Sequence, residues 1–380
     1  MVSSPEQMIG AVFARRYQLV ACLGSGAVGV VFEARDLDSG GPCAVKTLHD
    51  GAAEPHDVIS AWITDRNAAR QLVHPHIAAC RDVSLADDGS PYVAMDLLDG
   101  APLGAYLKPG LAYGALHALP IAKAALSAIH EAHERGLVHG DLKPTNLFMM
   151  RKEDAPPMLQ VLDFGCARVL ELRRSARVGD RALEADAKYL SPEQRAGARA
   201  TFSDDLWALS VVLYELITGQ DPFAGMAGLD SGTRPTGPES FQAHLLTAQL
   251  ACWRGFFAKA FAASAAQRFH SAADVQRELS VVERAVQSMP AGDPAPSITD
   301  LSPAMAAFVG HGALAPQVEV LGAARHPRSD QRHILETTLP GATLTPPDSA
   351  QASPKRWRLL MLVAVTAAVA FGAGYVAGHW

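Results

Sequence analysis

A glycine-rich turn, Gly24-Ser25-Gly26-Ala27-Val28-Gly29, stands between two stretches of alternating apolar residues and constrains this chain more than any other feature. Tyr17–Gly24 and Val28–Asp36 read as strands, and a third, Gly41–Leu48, follows a short Asp-Ser-Gly turn. Glycines let backbone N–H groups approach phosphate oxygens with no side chain in the way. Alone, G-x-G-x-x-G is weak, because dinucleotide-binding folds use it and it also arises by chance. In those folds it joins a strand to a helix; here it joins two strands, which argues against them. Beyond it come a helix-like stretch, Val58–Leu72, and strand material ending in Tyr92–Leu98. Helical periodicity dominates from Leu116 onward, notably over Leu119–Arg135 and Asp205–Thr218. A strand-rich piece followed by a helix-rich piece predicts an α+β protein of two lobes.

Short polar motifs are threaded through this pattern in a fixed order. Val30-Val31 continues the glycine turn, and Ala44-Val45-Lys46 places a lysine 22 residues after Gly24. Leu137-Val138-His139-Gly140-Asp141-Leu142-Lys143-Pro144-Thr145-Asn146 follows, and Asp163-Phe164-Gly165 begins 17 residues after Asn146. Then come Ser191-Pro192-Glu193, Ser203-Asp204-Asp205-Leu206-Trp207 and Arg268. Each is common alone; together, in this order and spacing, they resemble the protein kinases over about residues 15–285. The chain is similar to the bacterial, eukaryotic-like (Hanks-type) serine/threonine kinases, which implies a bilobal fold with an N-lobe over about 15–98 and a C-lobe over about 99–285.

The resemblance carries roles with it. It implies that Gly24, Gly26 and Gly29 cover the ATP phosphates, that Lys46 holds the α/β-phosphates, and that Asn146 and Asp163 carry Mg²⁺ (or Mn²⁺). Asp141 would orient the substrate hydroxyl and accept its proton, and Lys143 would neutralise the γ-phosphate. Lys143, two residues after Asp141, is the serine/threonine form of this loop. Val31 and Ala44 would cap the adenine from above and Phe148 from below, with Met95 as gatekeeper and the backbones of Asp96 and Leu98 bonding the adenine edge. Arg268 would pair with Glu193.

Three positions depart from the family. The helix glutamate that pairs with the strand lysine falls, by spacing, on Asp65, 19 residues after Lys46, and no Glu occurs between Glu54 and Glu131. Gly140 replaces the arginine of H-R-D, and the loop Cys166–Lys188 has no Thr and one Ser, Ser175. Asp186 replaces a threonine, where it could pair with Lys143 or repel Asp141. Lys46, Asp141, Asn146 and Asp163 favour an active kinase; Asp65 and Asp186 keep open a pseudokinase or weak kinase acting as a scaffold.

Composition narrows the partners. A net charge of −6 with 19% charged residues argues against nucleic-acid binding through phosphate neutralisation. The five scattered cysteines contain no C-x-x-C pair, which fits a reducing compartment and no disulfide scaffold. Cys166 reads as a small buried side chain, and the seven arginines between Arg168 and Arg199 read as a solvated mixed face rather than a docking patch. Glu6, Arg15 and Arg16 interrupt any apolar run near the start, so no secretory signal is expected there. Residues 286–354, rich in Pro, Ala, Ser and Thr, read as a disordered linker.

Residues 359–378 form an uncharged run, LLMLVAVTAAVAFGAGYVAG, long enough as a helix to span about 30 Å of hydrocarbon. Lys355, Arg356 and Arg358 precede it, and Trp357, Tyr375 and Trp380 mark its ends. The expectation is a single-pass anchor in the cell inner membrane with the kinase domain cytoplasmic. Only His379 and Trp380 follow, so no folded external sensor is expected. Gly374 and Gly378 permit a helix-packed homodimer; protein substrates complete the expected partners.

Overall fold

The computed structural model describes residues 5–26, 28–49, 54–108, 110–152, 155–176, 186–223 and 248–288. The run 359–378, residues 289–354 of the linker and the linker's threonines lie outside the described residues; residues 286 and 287 belong instead to the last helix described. Among those described, no helix is long and apolar enough to cross a membrane.

Alternating side chains build the first lobe. Strands β1 (Val12–Phe13), β2 (Tyr17–Ser25), β3 (Gly29–Asp36), β4 (Pro42–Leu48), β5 (Cys80–Leu85) and β6 (Pro91–Met95) form an antiparallel sheet in the order β1-β2-β3-β4-β6-β5. One face packs Tyr17, Leu19, Val30, Phe32, Val45 and Tyr92. On the other, Val31 stands opposite Lys46, which stands opposite Val93; Ala44 stands opposite Met95. Partners across a ladder share a face, so the sheet brings Val31, Ala44, Lys46 and Met95 to one side. Helix α1 (His56–Ala69) lies against this sheet, where its Val58, Ala61 and Trp62 meet Val83 and Val93.

A small sheet, β7 (Gly100–Pro102), β8 (Leu147–Lys152) and β9 (Ala155–Val161), begins the second lobe. Its core gathers round helices α2 (Gly114–Glu134) and α4 (Phe202–Thr218), with α3 (Ala167–Ala176) between them in sequence and α5 (Arg254–Ala260) and α6 (Ala272–Gln287) after them. A capping box at Thr201 and Asp204 starts α4, and Gly219 in the left-handed region ends it. The two expected lobes are present. Strands β5 and β6 fall in the strand material expected before Leu98. Two features go beyond the sequence expectation: the β7–β9 sheet, and α3, which occupies the first part of what read as a loop.

Candidate active site

The tight turn at His139-Gly140-Asp141 is set by one buried carboxylate. Asp205, in the first turn of α4, accepts the N–H of Gly140 on Oδ1 and the N–H of His139 on Oδ2, each at 2.8 Å. His133 Nε2 donates to the same Oδ2 at 2.8 Å. His139 takes the Asp141 N–H on Nδ1 at 3.2 Å, so its Nε2 carries the proton and donates to the Leu162 carbonyl at 2.8 Å. These bonds fix where the Asp141 side chain leaves the backbone. Gly140 has φ +70°, and a Cβ there would lie 2.5 Å from the Cβ of Ala167 at the start of α3. The missing arginine is therefore also a steric requirement of this turn.

Asp141 is buried and meets three groups. Lys143 Nζ lies 2.8 Å from its Oδ2, Asn146 Nδ2 donates to its carbonyl at 2.8 Å and to Oδ2 at 3.2 Å, and Arg174 Nη2 lies 3.8 Å from Oδ1. Lys143 also donates to Asp186 Oδ2 at 2.6 Å. Of the two outcomes open for Asp186, the pair with Lys143 is the one formed. Burial works against the charge of Lys143, but Asp141 and Asp186 outweigh it and push its pKa above the usual lysine range.

Asp163 lies in the left-handed region at φ +66°. Its Oδ2 accepts from Lys46 Nζ at 2.6 Å and its Oδ1 from Arg66 Nη2 at 2.9 Å. Burial alone would raise its pKa, yet the two cations hold it well below the usual carboxylate range. The next residue, Phe164, is buried with its ring edge-on to His139 at 4.7 Å. A Cβ on Gly165 would lie 2.6 Å from the Asp65 carbonyl oxygen, so α1 rests its backbone on this segment.

Asp65 needs correction. It does not pair with Lys46, whose carboxylate partner is Asp163. One residue is about 100° of helix, and α1 turns Arg66, not Asp65, into its buried stripe of Val58, Ala61, Trp62 and Ala69. The half-buried Asp65 carboxyl has its pKa raised by burial, against the attraction of Arg168 and with the repulsion of Glu171. The arginines between 168 and 199 also need correction, because they are not a uniformly solvated face. Arg173 is 2% exposed, donates to the Val28 carbonyl at 2.8 Å and pairs with Glu54. Arg168, Arg195 and Arg199 are exposed. Cys166 is buried as expected, and burial pushes its thiol pKa up.

The remaining candidates occupy distinct elements. In the glycine turn, Gly24 pairs with Val31, and the Gly26 N–H donates to the Gly29 carbonyl at 3.0 Å. A Cβ on Gly29 would fall 1.9 Å from the Thr47 carbonyl oxygen, whereas one on Gly26 would meet nothing within 4 Å. Gly29 is demanded by this fold's own packing, whereas Gly26 leaves its surroundings open. Phe148 is half-buried on β8, two residues after Asn146. Asp96 pairs with Arg81 at 2.5 Å, and Leu98 is half-buried in the segment that leads to β7. Glu193 pairs with the buried Arg268 at 2.7 Å.

Sequence reasoning missed Arg66, Glu54 and Arg173. Arg66 lies four residues after Trp62, and Arg173 four after Val169, so each is a charge on an apolar helical stripe. That was the available signal. As for the implied metal, Asn146 uses its amide nitrogen on Asp141 and keeps its amide oxygen, while Asp163 supplies a carboxylate. Hard oxygen donors of this kind suit Mg²⁺ or Mn²⁺; the residues fit the group in chemistry.

Residues 17–244 match the protein kinase domain family model. The chain is similar to serine/threonine-protein kinase Pkn1 of Myxococcus xanthus, 32% identical over 223 residues, which cover 59% of this chain and 32% of that protein. It is also similar to serine/threonine-protein kinase PrkC of Bacillus subtilis, 34% identical over 221 residues, covering 57% of this chain and 33% of that protein. The crystal structure of the PknI kinase domain of Mycobacterium tuberculosis matches at 25% identity with a TM-score of 0.55, covering 72% of this chain and 98% of that one. Two lobes, a glycine turn followed by a buried lysine paired with the D-F-G aspartate, and a catalytic-loop aspartate held by Lys143 and Asn146 define the class. The chain belongs to the protein kinase family, with a domain of the bacterial Hanks type. It spans about a third of the length of these two curated relatives.

Proposed function

We propose that this chain is a membrane-tethered serine/threonine protein kinase that moves the γ-phosphoryl group of ATP to protein Ser/Thr hydroxyls. The observation that carries the reading is the cluster of Asp141, Lys143 and Asn146 on one buried turn, with Asp163 and Lys46 paired beside it. Asp141 accepts a hydrogen bond from the substrate hydroxyl and takes its proton as that oxygen bonds to the γ-phosphorus and the bond to the β-phosphate oxygen breaks, releasing ADP. Lys143, already on Asp141, offsets charge on the transferring group. Lys46 holds the α/β-phosphates under the glycine turn. Val31, Ala44 and Phe148 enclose the adenine, whose edge meets the backbones of Asp96 and Leu98. Asn146 and Asp163 would hold a divalent cation, which would neutralise charge on the phosphates.

The proposed layout is a catalytic domain over 15–285, a tether over 286–354 and one inner-membrane helix over 359–378, with the catalytic domain in the cytoplasm. The charge-free run and its flanking Lys355, Arg356 and Arg358 support this. Gly374 and Gly378 offer a contact for a second copy. A second reading, a nucleotide-binding scaffold with little turnover, draws on the Asp65 carboxyl's separation from Lys46. Labelled ATP with the full chain in detergent, followed by phosphoamino-acid analysis, tests the first reading. It expects phosphoserine and phosphothreonine; nucleotide binding without any label in protein supports the scaffold. Deleting 359–378 is expected to move the chain from the membrane to the soluble fraction, and unchanged partition would refute the anchor.

A further inference from the structure

Both oxygens of Asp163 already hold cations. Lys46 takes Oδ2, and Arg66 takes Oδ1 at 2.9 Å. Arg66 is 5% exposed, its guanidinium lies over the Trp62 ring at 4.7 Å, and the nitrogen on Asp163 also lies 2.7 Å from Cys166 Sγ. Its Nε is buried with no hydrogen-bond partner. A guanidinium buried with an unmet donor is held by its carboxylate, because desolvation opposes it and only the paired charge offsets that. A divalent cation on the same carboxylate oxygen would meet Arg66 as a like charge within contact distance.

Helix α3 holds α1 in this register. Val169, Leu170 and Cys166 pack against Val58, Ala61 and Trp62. Arg173 reaches past them to Glu54, just before α1, and to the Val28 carbonyl in the glycine turn. One buried side chain thus ties together the entry to α1, the phosphate-covering turn and α3. We infer that Arg66 is a built-in competitor of the divalent cation for Asp163, and that α3, keyed by Arg173 to Glu54 and Val28, keeps it in place. Metal–nucleotide binding and withdrawal of Arg66 are then one coupled event. Whatever releases α3 raises metal affinity, and the metal in turn favours release of α3. This rests on the kinase reading of Asp163 as a metal ligand.

The test is Mn²⁺ binding by paramagnetic resonance on the full chain in detergent, with a non-hydrolysable ATP analogue, so that turnover plays no part. If the Arg66-bound form outnumbers the open form by about ten to one, removing Arg66 tightens apparent Mn²⁺–analogue binding about tenfold. Arg66→Met is expected to show that gain, with no gain for the analogue alone in EDTA. Glu54→Gln, which weakens the Arg173 tie without touching the metal ligands, is expected to give about a threefold gain by the same coupling. Should Arg66→Met fail to fold, Glu54→Gln decides. Affinities equal to or weaker than wild type in the folded variants overturn the inference. Asp163→Asn separates the two levels: Mn²⁺ binding unchanged by it would refute the kinase reading itself, whereas lost binding together with no gain in either Arg66→Met or Glu54→Gln would refute only the competitor.

Discussion

Asp205→Asn removes one acceptor from a buried junction that has none to spare. In the wild type, Oδ1 serves Gly140 N–H while Oδ2 serves both His139 N–H and His133 Nε2. The side chain is 1% exposed, so water cannot substitute. The asparagine does best with its oxygen in the Oδ2 place, which turns its NH₂ toward the Gly140 N–H. One charge-assisted hydrogen bond, about 1.5–3 kcal/mol, is lost, and a buried donor is left unmet at about 1–3 kcal/mol. Allowing for overlap between these, the loss of stability is about 2–4 kcal/mol, or a fall in Tm of about 5–15 °C for a domain of this size. Because the two N–H groups belong to the turn that sets Asp141, turnover should fall further than unfolding alone explains at temperatures where the variant is folded. Urea melts followed by fluorescence, with activity measured well below Tm, read both effects. A variant within about 1 kcal/mol of wild type, with unchanged turnover, would refute the claim that Asp205 builds the catalytic turn.

Other positions give sharper single readouts. Gly140→Ala places a Cβ 2.5 Å from that of Ala167 at a positive φ, and is expected to destabilise the chain by about 2–3 kcal/mol in urea melts; an unchanged midpoint would show that the turn tolerates a side chain. Asp65→Asn is expected to be at least as stable as wild type at pH 8, since burial raises the folded pKa of Asp65 and penalises its charged form. The sign follows from linkage: the variant's advantage is full above the folded pKa and fades as pH falls through it to the unfolded value of about 3.9, so the two proteins should differ at pH 8 and converge by about pH 3, and a less stable variant at pH 8 would contradict it. If residues 286–354 form the proposed tether, phosphopeptide mapping after autophosphorylation is expected to find Thr337, Thr338, Thr343 or Thr345; nothing between 330 and 354 would exclude this.

Local chemistry made the catalytic turn, the D-F-G segment and the glycine turn readable in sequence, because each needs particular residues at short spacing. Glu193 with Arg268, and Lys143 with Asp186, were also open to inference from motif order, and both pairs form. The role of α1 was not readable in this way. Whether Asp65 or Arg66 faces Lys46 depends on how far α1 rotates against its neighbours, and α3 with the preceding Cys166 sets that rotation through contacts 100 or more residues away along the chain. Helix α3 itself was hidden by its charge: its arginines suggested solvent, but Arg173 joins Val169 and Leu170 on the buried side. Gly140 shows a different gap. The sequence displays a missing arginine, while the reason for glycine, a positive φ against Ala167, exists only once α3 has folded against the turn.

In the proposed reaction Asp141 takes the substrate proton during phosphoryl transfer. The most direct test of that role is the rate of phosphate incorporation from labelled ATP with Mg²⁺ or Mn²⁺ by the full chain, compared between wild type and Asp141→Asn. The exchange keeps the bond from Asn146 to the backbone carbonyl but removes the proton acceptor. Wild type is expected to label serine and threonine, and Asp141→Asn to be slower by about 10²-fold or more with nucleotide affinity within about threefold. Equal incorporation by the two proteins would contradict that role.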